Sequence, residues 1–149
     1  MSLKVGAKAP DFKGIDQHGN TVSLKDYKGK KVVIYFYPKD NTPGCTAQAC
    51  SLRDNYSALQ KQGFEIIGIS SDSVKSHQNF IKKFELPFTL LSDPEQTIQN
   101  LYGVWGEKTM YGRTYMGTIR TTFIIDEKGK IEEIIEKVNT KEHSAQLLK

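Results

Sequence analysis

The sequence has few cysteines and no long hydrophobic run. Its 149 residues include only two cysteines, Cys45 and Cys50, and the longest apolar stretch covers the six residues from Val32 to Tyr37. A membrane-spanning helix needs about 20 consecutive apolar residues, so we expect no membrane partner. The N-terminus lacks the apolar core of a signal peptide, which predicts a cytoplasmic location. In that reducing compartment two neighbouring cysteines are typical of a redox-active pair or a metal site rather than of a structural disulfide.

The chain carries positive and negative side chains in similar numbers. The sequence contains 21 lysines and arginines against 17 acidic residues, a net charge of +4 at pH 7. Its densest basic stretch, from Lys25 to Lys31, is interrupted by Asp26 and a glycine, and elsewhere lysines alternate with acids. This pattern indicates a mixed, solvated surface, so we expect no nucleic-acid partner. The length, with 38% hydrophobic residues, predicts one globular domain spanning residues 1–149.

Hydrophobic periodicity predicts alternating strands and helices. The apolar stretch from Val32 to Tyr37 is rich in β-branched and aromatic residues, as in a central strand covered on both faces. The whole pattern predicts an α/β protein with an N-terminal β-hairpin and a central mixed sheet flanked by helices. Residues 103–117 carry four glycines and are predicted to form a long surface loop or a small excursion. Strands are predicted at 21–24, 32–37, 64–70, 90–91, 120–125 and 131–138, and helices at 44–62, 73–84, 93–102 and from residue 140.

The loop from Pro38 to Thr46 carries the most informative residues. It follows the most buried predicted strand and leads into a helix, the place where α/β sheets often locate reactive groups. Cys45 falls in the first predicted helical turn, where unpaired backbone N–H groups and the helix dipole stabilise an anion. Because the thiolate is the nucleophilic form of cysteine, Cys45 is predicted to be a nucleophile.

The spacing Pro38-x3-Thr42-x2-Cys45 resembles the peroxidatic signature of the peroxiredoxins. The pair of Cys45 and Cys50 resembles the bacterioferritin comigratory protein subfamily, also called peroxiredoxin Q. The resemblance implies a thioredoxin-like fold, reduction of hydrogen peroxide and organic hydroperoxides without a cofactor, thioredoxin as the reductant, and a monomer. It extends over essentially the whole chain, with similar segments at residues 9–12, 70–72, 91–93 and 120–126.

The resemblance also implies a role for each residue of the signature. Cys45 matches the peroxidatic cysteine, Thr42 the residue whose hydroxyl holds the peroxide in line, and Pro38 the proline that limits water access. Arg120 matches the arginine that stabilises the thiolate and the charge on the departing oxygen. Cys50 matches the resolving cysteine, which forms an intramolecular disulfide. Each has an ordinary alternative, since prolines end strands, a threonine can cap a helix and an arginine can pair with a surface acid.

Three positions beside the signature are secondary candidates: Pro43, Gly44 and Gln48. We expect the family to carry Glu more often at position 48. Gln keeps the hydrogen-bonding shape without the charge, so we expect a modest loss of activity rather than inactivity.

The spacing of the two cysteines predicts a movement. Five positions along an intact helix separate the Cα atoms by about 8.7 Å and rotate the side chains by about 140°. A disulfide needs Cα atoms about 4.4–6.8 Å apart. If Cys45 and Cys50 pair, as the resemblance implies, residues 44–52 are expected to be helical when reduced and loop-like when oxidised.

Three other functions remain open at this point. A disulfide oxidoreductase or redox chaperone on the same fold typically uses Cys-x-x-Cys, which this chain lacks. A metal-binding module would need ligand spacing that the cysteines and the scattered His18, His77 and His143 do not provide, and surface positions are expected for these histidines. In a non-catalytic binding domain, Cys45 would simply be a small buried residue.

Overall fold

The computed structural model describes residues 3–148, which form a seven-stranded mixed sheet and a separate two-stranded hairpin. The strands are β1 (Lys13–Ile15), β2 (Thr21–Ser23), β3 (Lys31–Phe36), β4 (Phe64–Ser70), β5 (Thr89–Ser92), β6 (Trp105–Met110), β7 (Arg113–Thr118), β8 (Thr121–Ile125) and β9 (Ile131–Ile135). The helices are α1 (Pro43–Asp54), α2 (Tyr56–Lys61), α3 (Val74–Phe84), α4 (Thr97–Leu101) and α5 (His143–Leu147), and Leu24–Tyr27 forms a 3-10 turn. The strand order in the sheet is β2-β1-β5-β4-β3-β8-β9, and β6 pairs with β7.

Strand β3 lies in the interior of the sheet. It pairs in parallel with β4 and antiparallel with β8. All residues from Val32 to Tyr37 are buried, because side chains at odd positions enter one hydrophobic core and those at even positions enter the other. A strand that is covered on both faces needs apolar side chains at every position, which explains the uninterrupted apolar run.

Different helices cover the two cores. One core contains Leu52 of α1, Leu59 of α2, Phe80 of α3 and Leu147 of α5. The other core contains Ile98 of α4. The predicted sheet with helices on both faces is therefore confirmed. Among residues 3–148, no helix is long and apolar enough to cross a membrane.

Several predicted elements are confirmed. Strand β4 spans the predicted residues 64–70, and the N-terminal hairpin pairs β1 with β2. Helix α3 begins after Ser73, whose Oγ accepts the N–H of Ser76 at 3.1 Å. The turn between β8 and β9 holds Gly129 at φ +81°, a conformation that glycine adopts without steric cost.

The helix predicted over residues 44–62 is divided at Asn55. The side-chain amide of Asn55 donates to Ser51 O at 3.0 Å and to Ser144 Oγ at 2.8 Å. These bonds tie the end of α1 to α5, and the chain turns before α2 begins. Periodicity alone does not reveal the break because both halves keep their apolar faces toward the same core.

Helix α4 begins later than the sequence predicts. Asp93 was expected at its N-terminus, but residues 94–96 form a turn and the helix begins at Thr97. The Asp93 carboxylate still accepts the N–H groups of Ile98 and Gln99, at 3.1 and 3.0 Å. The capping interaction is therefore present, but it acts across the turn. The closing helix also begins later, at His143 instead of residue 140.

The segment predicted as a long loop at residues 103–117 is instead largely the regular hairpin of β6 and β7. Its turn contains Tyr111 at φ +53° and Gly112 at φ +76°. Most of its side chains are at least partly exposed on both faces. The apolar and polar alternation that identifies a half-buried strand is therefore absent from the sequence.

The surface positions expected for the histidines are wrong for His77 and His143, which are both fully buried. Nδ1 of His143 lies 2.7 Å from Gln146 Oε1, and Nε2 lies 2.9 Å from Thr122 Oγ1. An amide oxygen can only accept, so Nδ1 carries the proton and Nε2 accepts from the hydroxyl. Burial lowers the pKa of His143, while the bond to Gln146 opposes this shift.

We expect the buried His143 to make the protein less stable in mild acid. Its folded-state pKa lies below the ordinary 6.5, so the unfolded chain binds the proton more readily. The stabilising contribution is fully present above about pH 6.5 and is lost as the pH falls through the folded-state pKa. Urea unfolding between about pH 7.5 and 5 should show a steeper loss of unfolding free energy than in His143→Asn, which lacks the titrating ring. Equal pH dependence in the two proteins would contradict this expectation.

Candidate active site

The candidate site lies where β3 ends and α1 begins. Tyr37 remains buried beyond the strand, residues 38–42 form an irregular loop, and Pro43 occupies the first position of α1. Proline is well suited to that position because its missing N–H would have no helical partner. Cys45 is the third residue of the helix and is 2% exposed. Its predicted place in the first turn, among unpaired backbone N–H groups, is confirmed.

The sheet register brings Arg120 to this helix. Strand β8 runs antiparallel to β3 and pairs Thr121 with Phe36. Arg120 therefore lies just beyond the end of β3, beside the loop that leads to Cys45. A register shift of one residue would turn the neighbouring side chains to the opposite face of the sheet. The position of the cation thus depends on strand pairing.

The guanidinium of Arg120 contacts two residues of α1. Its Nη2 donates to Cys45 Sγ at 3.3 Å, and its Nη1 donates to Gln48 Oε1 at 2.6 Å. The two acceptors lie three positions apart on the helix, which places them on one face. The planar guanidinium can hold both contacts at once, whereas an ammonium group has no such fixed fork.

Gly44 leaves room for this approach. A Cβ atom at position 44 would stand 3.3 Å from Arg120 Nη2, closer than ordinary van der Waals contact. Any side chain there would press against the guanidinium that contacts Cys45. The secondary candidate Gly44 therefore acts through its small size.

Thr42 occupies the N-cap position of α1 but does not cap it with its side chain. Its hydroxyl donates to Lys39 O at 2.8 Å, which closes a turn over the intervening residues. The hydroxyl proton is therefore engaged, and the oxygen lone pairs remain available to accept a hydrogen bond from another molecule.

The remaining candidates, Cys50, Pro38 and Pro43, lie on the same loop and helix as Cys45. Cys50 is half-buried on α1, five positions after Cys45, and both thiols are free. One continuous helix therefore carries both cysteines, as predicted for the reduced form. Pro38 is half-buried at the first position of the loop, and Pro43 is exposed at the start of the helix.

Lys108 is a cation near the site that the sequence analysis did not identify. Its Nζ donates to Thr118 O at 2.8 Å, across the β6–β7 hairpin. Burial lowers the pKa of Lys108, the positive charge of Arg120 lowers it further, and Cys45 acts in the opposite direction. No motif marks this lysine, because only the folding back of the hairpin brings it near Arg120.

Asp40, Asp72 and His77 form a second cluster that spacing in the sequence does not reveal. Their ligand-type atoms lie within 4.8 Å of one another. His77 Nδ1 is 2.7 Å from Asp40 Oδ2. Two ligands of one ion stand about 3.0–3.4 Å apart when each metal–ligand bond is about 2.1 Å long, so the shorter distance indicates a direct hydrogen bond.

Comparisons with known proteins support the resemblance to the peroxiredoxins. The AhpC/TSA family model matches residues 5–134. The chain is 51% identical over 148 residues to the bcp peroxiredoxin of Coxiella burnetii, covering 99% of this chain and 98% of that protein. It is 45% identical over 148 residues to peroxiredoxin Bcp of Bacillus subtilis, covering 99% of this chain and 94% of that protein.

A solved structure extends the likeness to the fold. The bacterioferritin comigratory protein of Xanthomonas campestris, studied for its alkyl peroxide reduction activity, matches with a TM-score of 0.88 and 35% identity. The match covers 99% of this chain and 94% of that one. The resemblance inferred from the sequence is therefore confirmed, and so is the thioredoxin-like fold. The chain belongs to the AhpC/TSA family, as a thiol-dependent peroxidase related to the Bcp and peroxiredoxin Q proteins.

Proposed function

We propose that Cys45 is the peroxidatic nucleophile and that it reduces hydrogen peroxide and organic hydroperoxides. The contact that carries this proposal is the 3.3 Å approach of Arg120 Nη2 to Cys45 Sγ at the start of a helix. A fixed guanidinium charge and the positive end of the helix dipole both favour the thiolate. A cysteine that was only a small buried residue would need neither.

The chemistry proceeds in one nucleophilic displacement at a peroxide oxygen. The Cys45 thiolate attacks one peroxide oxygen, the O–O bond breaks, and the departing oxygen takes a proton from solvent and leaves as water or an alcohol. The sulfur loses two electrons and becomes a sulfenic acid. Arg120, which already contacts the sulfur, stabilises the negative charge that develops on the departing oxygen.

Thr42 and Pro38 complete the peroxide site. Because the Thr42 hydroxyl proton is directed to Lys39 O, its oxygen can accept the peroxide O–H and hold the O–O bond in line with the sulfur. Pro38, at the start of the same loop, limits the access of water.

Cys50 acts as the resolving cysteine. Its thiol condenses with the Cys45 sulfenic acid, which forms an intramolecular disulfide and releases water. A thiol reductant then restores both cysteines by thiol–disulfide exchange. We assign thioredoxin as this reductant, a monomer as the working form because the disulfide lies within one chain, and the cytoplasm as the compartment because the cycle consumes reducing thiols.

Two cysteine variants test the assigned roles. We expect Cys45→Ser to abolish peroxide consumption in an assay coupled to thioredoxin, because serine cannot form the sulfenic acid. Cys50→Ser should still be oxidised once by peroxide but should accumulate sulfenic acid without turnover. Non-reducing mass mapping after one equivalent of peroxide should find the 45–50 disulfide within one chain of the wild-type protein. Turnover in Cys45→Ser would contradict the assigned nucleophile, absence of thiol-dependent turnover in the wild type would favour a disulfide oxidoreductase, and a disulfide between chains would exclude the monomer cycle.

Disulfide formation requires the first turns of α1 to unwind. We expect the backbone amides of residues 46–52, which are bonded within the helix, to exchange slowly in the reduced protein and quickly after oxidation, because a helix keeps the two Cα atoms about 8.7 Å apart. Helix α3 provides an internal control, since its amides should remain protected in both states. Equal protection of residues 46–52 in the two states would count against the unwinding.

Gln48 accepts a hydrogen bond from the second terminal nitrogen, Nη1, of the Arg120 guanidinium. It is fully buried, its Oε1 accepts from Arg120, and its Nε2 has no hydrogen-bond partner within residues 3–148. A neutral amide orients the arginine without neutralising its charge, so the charge remains available to the sulfur. From residue type alone we expect Gln48 to lower the activity modestly relative to Glu. This contact supports the opposite effect, a higher activity with Gln than with Glu.

We therefore expect Gln48→Glu to react with peroxide several-fold more slowly at neutral pH, because the new carboxylate competes with the thiolate for Arg120. Alkylation of Cys45 by iodoacetamide should shift to higher pH in the same variant. Gln60→Glu is a matched control, since it adds the same charge at an exposed position of α2. An unchanged peroxide rate in Gln48→Glu would show that position 48 does not affect the reaction.

A further inference from the structure

Asp40 and His77 form a buried hydrogen-bonded pair that peroxide reduction at Cys45 does not use. Both side chains are almost completely buried, at 3% and 0% exposure. A buried polar group is unfavourable unless it is hydrogen-bonded. The groups bonded to this pair therefore identify the part of the structure that it holds in place.

His77 is held between two acceptors. Its Nδ1 lies 2.7 Å from Asp40 Oδ2, and its Nε2 lies 3.0 Å from Leu91 O. A backbone carbonyl can only accept, so Nε2 donates to Leu91 O, and Nδ1 is left to bond with Asp40. The pair joins α3 to the loop that follows β3.

Asp40 is the centre of a larger set of bonds. Its Oδ1 accepts from the Tyr37 hydroxyl at 2.6 Å, and its Oδ2 also accepts from Ser76 Oγ at 2.8 Å. Burial and nearby negative charge raise the pKa of Tyr37, so this phenol remains a donor. The backbone N–H of Asp40 donates to Asp72 Oδ2 at 2.8 Å. Residue 40 is therefore fixed through both its side chain and its backbone.

The fixed residue lies inside the turn that presents Thr42. The Thr42 hydroxyl bonds to Lys39 O, so the turn closes around Asp40 and Asn41. Asn41 has φ +59°, an uncommon left-handed conformation for a residue with a side chain. Residues 38–42 belong to no helix or strand. Their conformation depends on these side-chain bonds, because no backbone ladder holds them.

We propose that His77 is a positioning residue for peroxide reduction, acting through Asp40 to hold Thr42 where its oxygen can accept the peroxide O–H. The proposal rests on the roles proposed for Thr42 and Cys45. Loss of the bond between His77 and Asp40 would release the loop without removing Arg120 or the helix N-terminus from Cys45. Thiolate formation and peroxide orientation can therefore be separated by experiment.

Two variants of His77, each with a side-chain amide, separate the two hydrogen bonds that its ring makes. In His77→Asn, the amide nitrogen stands at the same number of bonds from Cα as Nδ1 and can still donate to Asp40. In His77→Gln, the amide nitrogen replaces Nε2 and can donate only to Leu91 O. Both variants lose the imidazole ring and keep a buried amide, so each is the matched control of the other.

We expect His77→Gln to react with hydrogen peroxide about 10- to 100-fold more slowly in stopped-flow measurements, since a misplacement of about 1 Å can cost this much. His77→Asn should retain a rate within about threefold of the wild type, because its amide can still hydrogen-bond to Asp40. Alkylation of Cys45 by iodoacetamide should have the same pH profile in all three proteins. A purely structural role would not produce this difference between peroxide and iodoacetamide.

A peroxide rate of His77→Gln equal to that of the wild type would overturn the proposal. Equal losses in both variants, accompanied by altered alkylation, would overturn it as well, because they would indicate a general disturbance of α1. Neither result would affect the assignment of Cys45, which fails only if Cys45→Ser remains active.

A tyrosine pair tests the same idea if the histidine variants do not fold. Tyr37→Phe removes one donor to Asp40 and keeps the ring, so we expect a several-fold lower peroxide rate with unchanged alkylation. Tyr102→Phe is the matched control. It removes the bond from a buried hydroxyl to Pro10 O in the core on the opposite face of the sheet. Equal peroxide rates in the two tyrosine variants would contradict the proposed role of Asp40.

Discussion

The contact between Arg120 and Cys45 is the interaction on which the active site depends. The two residues are 75 positions apart in the chain, and neither element alone creates the contact. Helix α1 must begin at Pro43 to place Cys45 in its first turn, and β8 must pair with β3 in one register to place Arg120 beside it. The central sheet therefore positions the charge, and the helix start positions the thiol.

The two cysteines place opposing requirements on α1. An ordered helix start surrounds Cys45 with N–H donors, but the same helix keeps Cys50 too far away for a disulfide. Hydrogen bonds at the C-terminal end of α1 allow both requirements to be met. Ser51 Oγ lies 3.0 Å from Ser144 Oγ and accepts the N–H of Ser144 at 3.1 Å, and Asn55 bonds to the same serine. The helix is thus held to α5 just beyond Cys50, so its first turns can open while its end stays in place.

Much of the fold could be predicted from local patterns. Strands β3 and β4 are buried on both faces, and their apolar runs marked them clearly. The errors occur where side-chain bonds or exposure overrule periodicity. Asn55 divides a helix through its amide bonds to neighbouring elements, and Asp93 caps α4 from beyond a turn. The β6–β7 hairpin is too exposed on both faces to show a strand period.

The sequence by itself determined the chemistry of this protein: a cysteine at a helix start, the threonine and proline before it, and a second cysteine that an intact helix holds too far away to react without movement. These features are local, since they follow from spacing along one segment. Tertiary structure decided which distant groups act on them. Strand pairing brought Arg120 to the sulfur, and the packing of α3 brought His77 to Asp40. Both depend on long-range register and packing, which residue spacing along the chain does not specify.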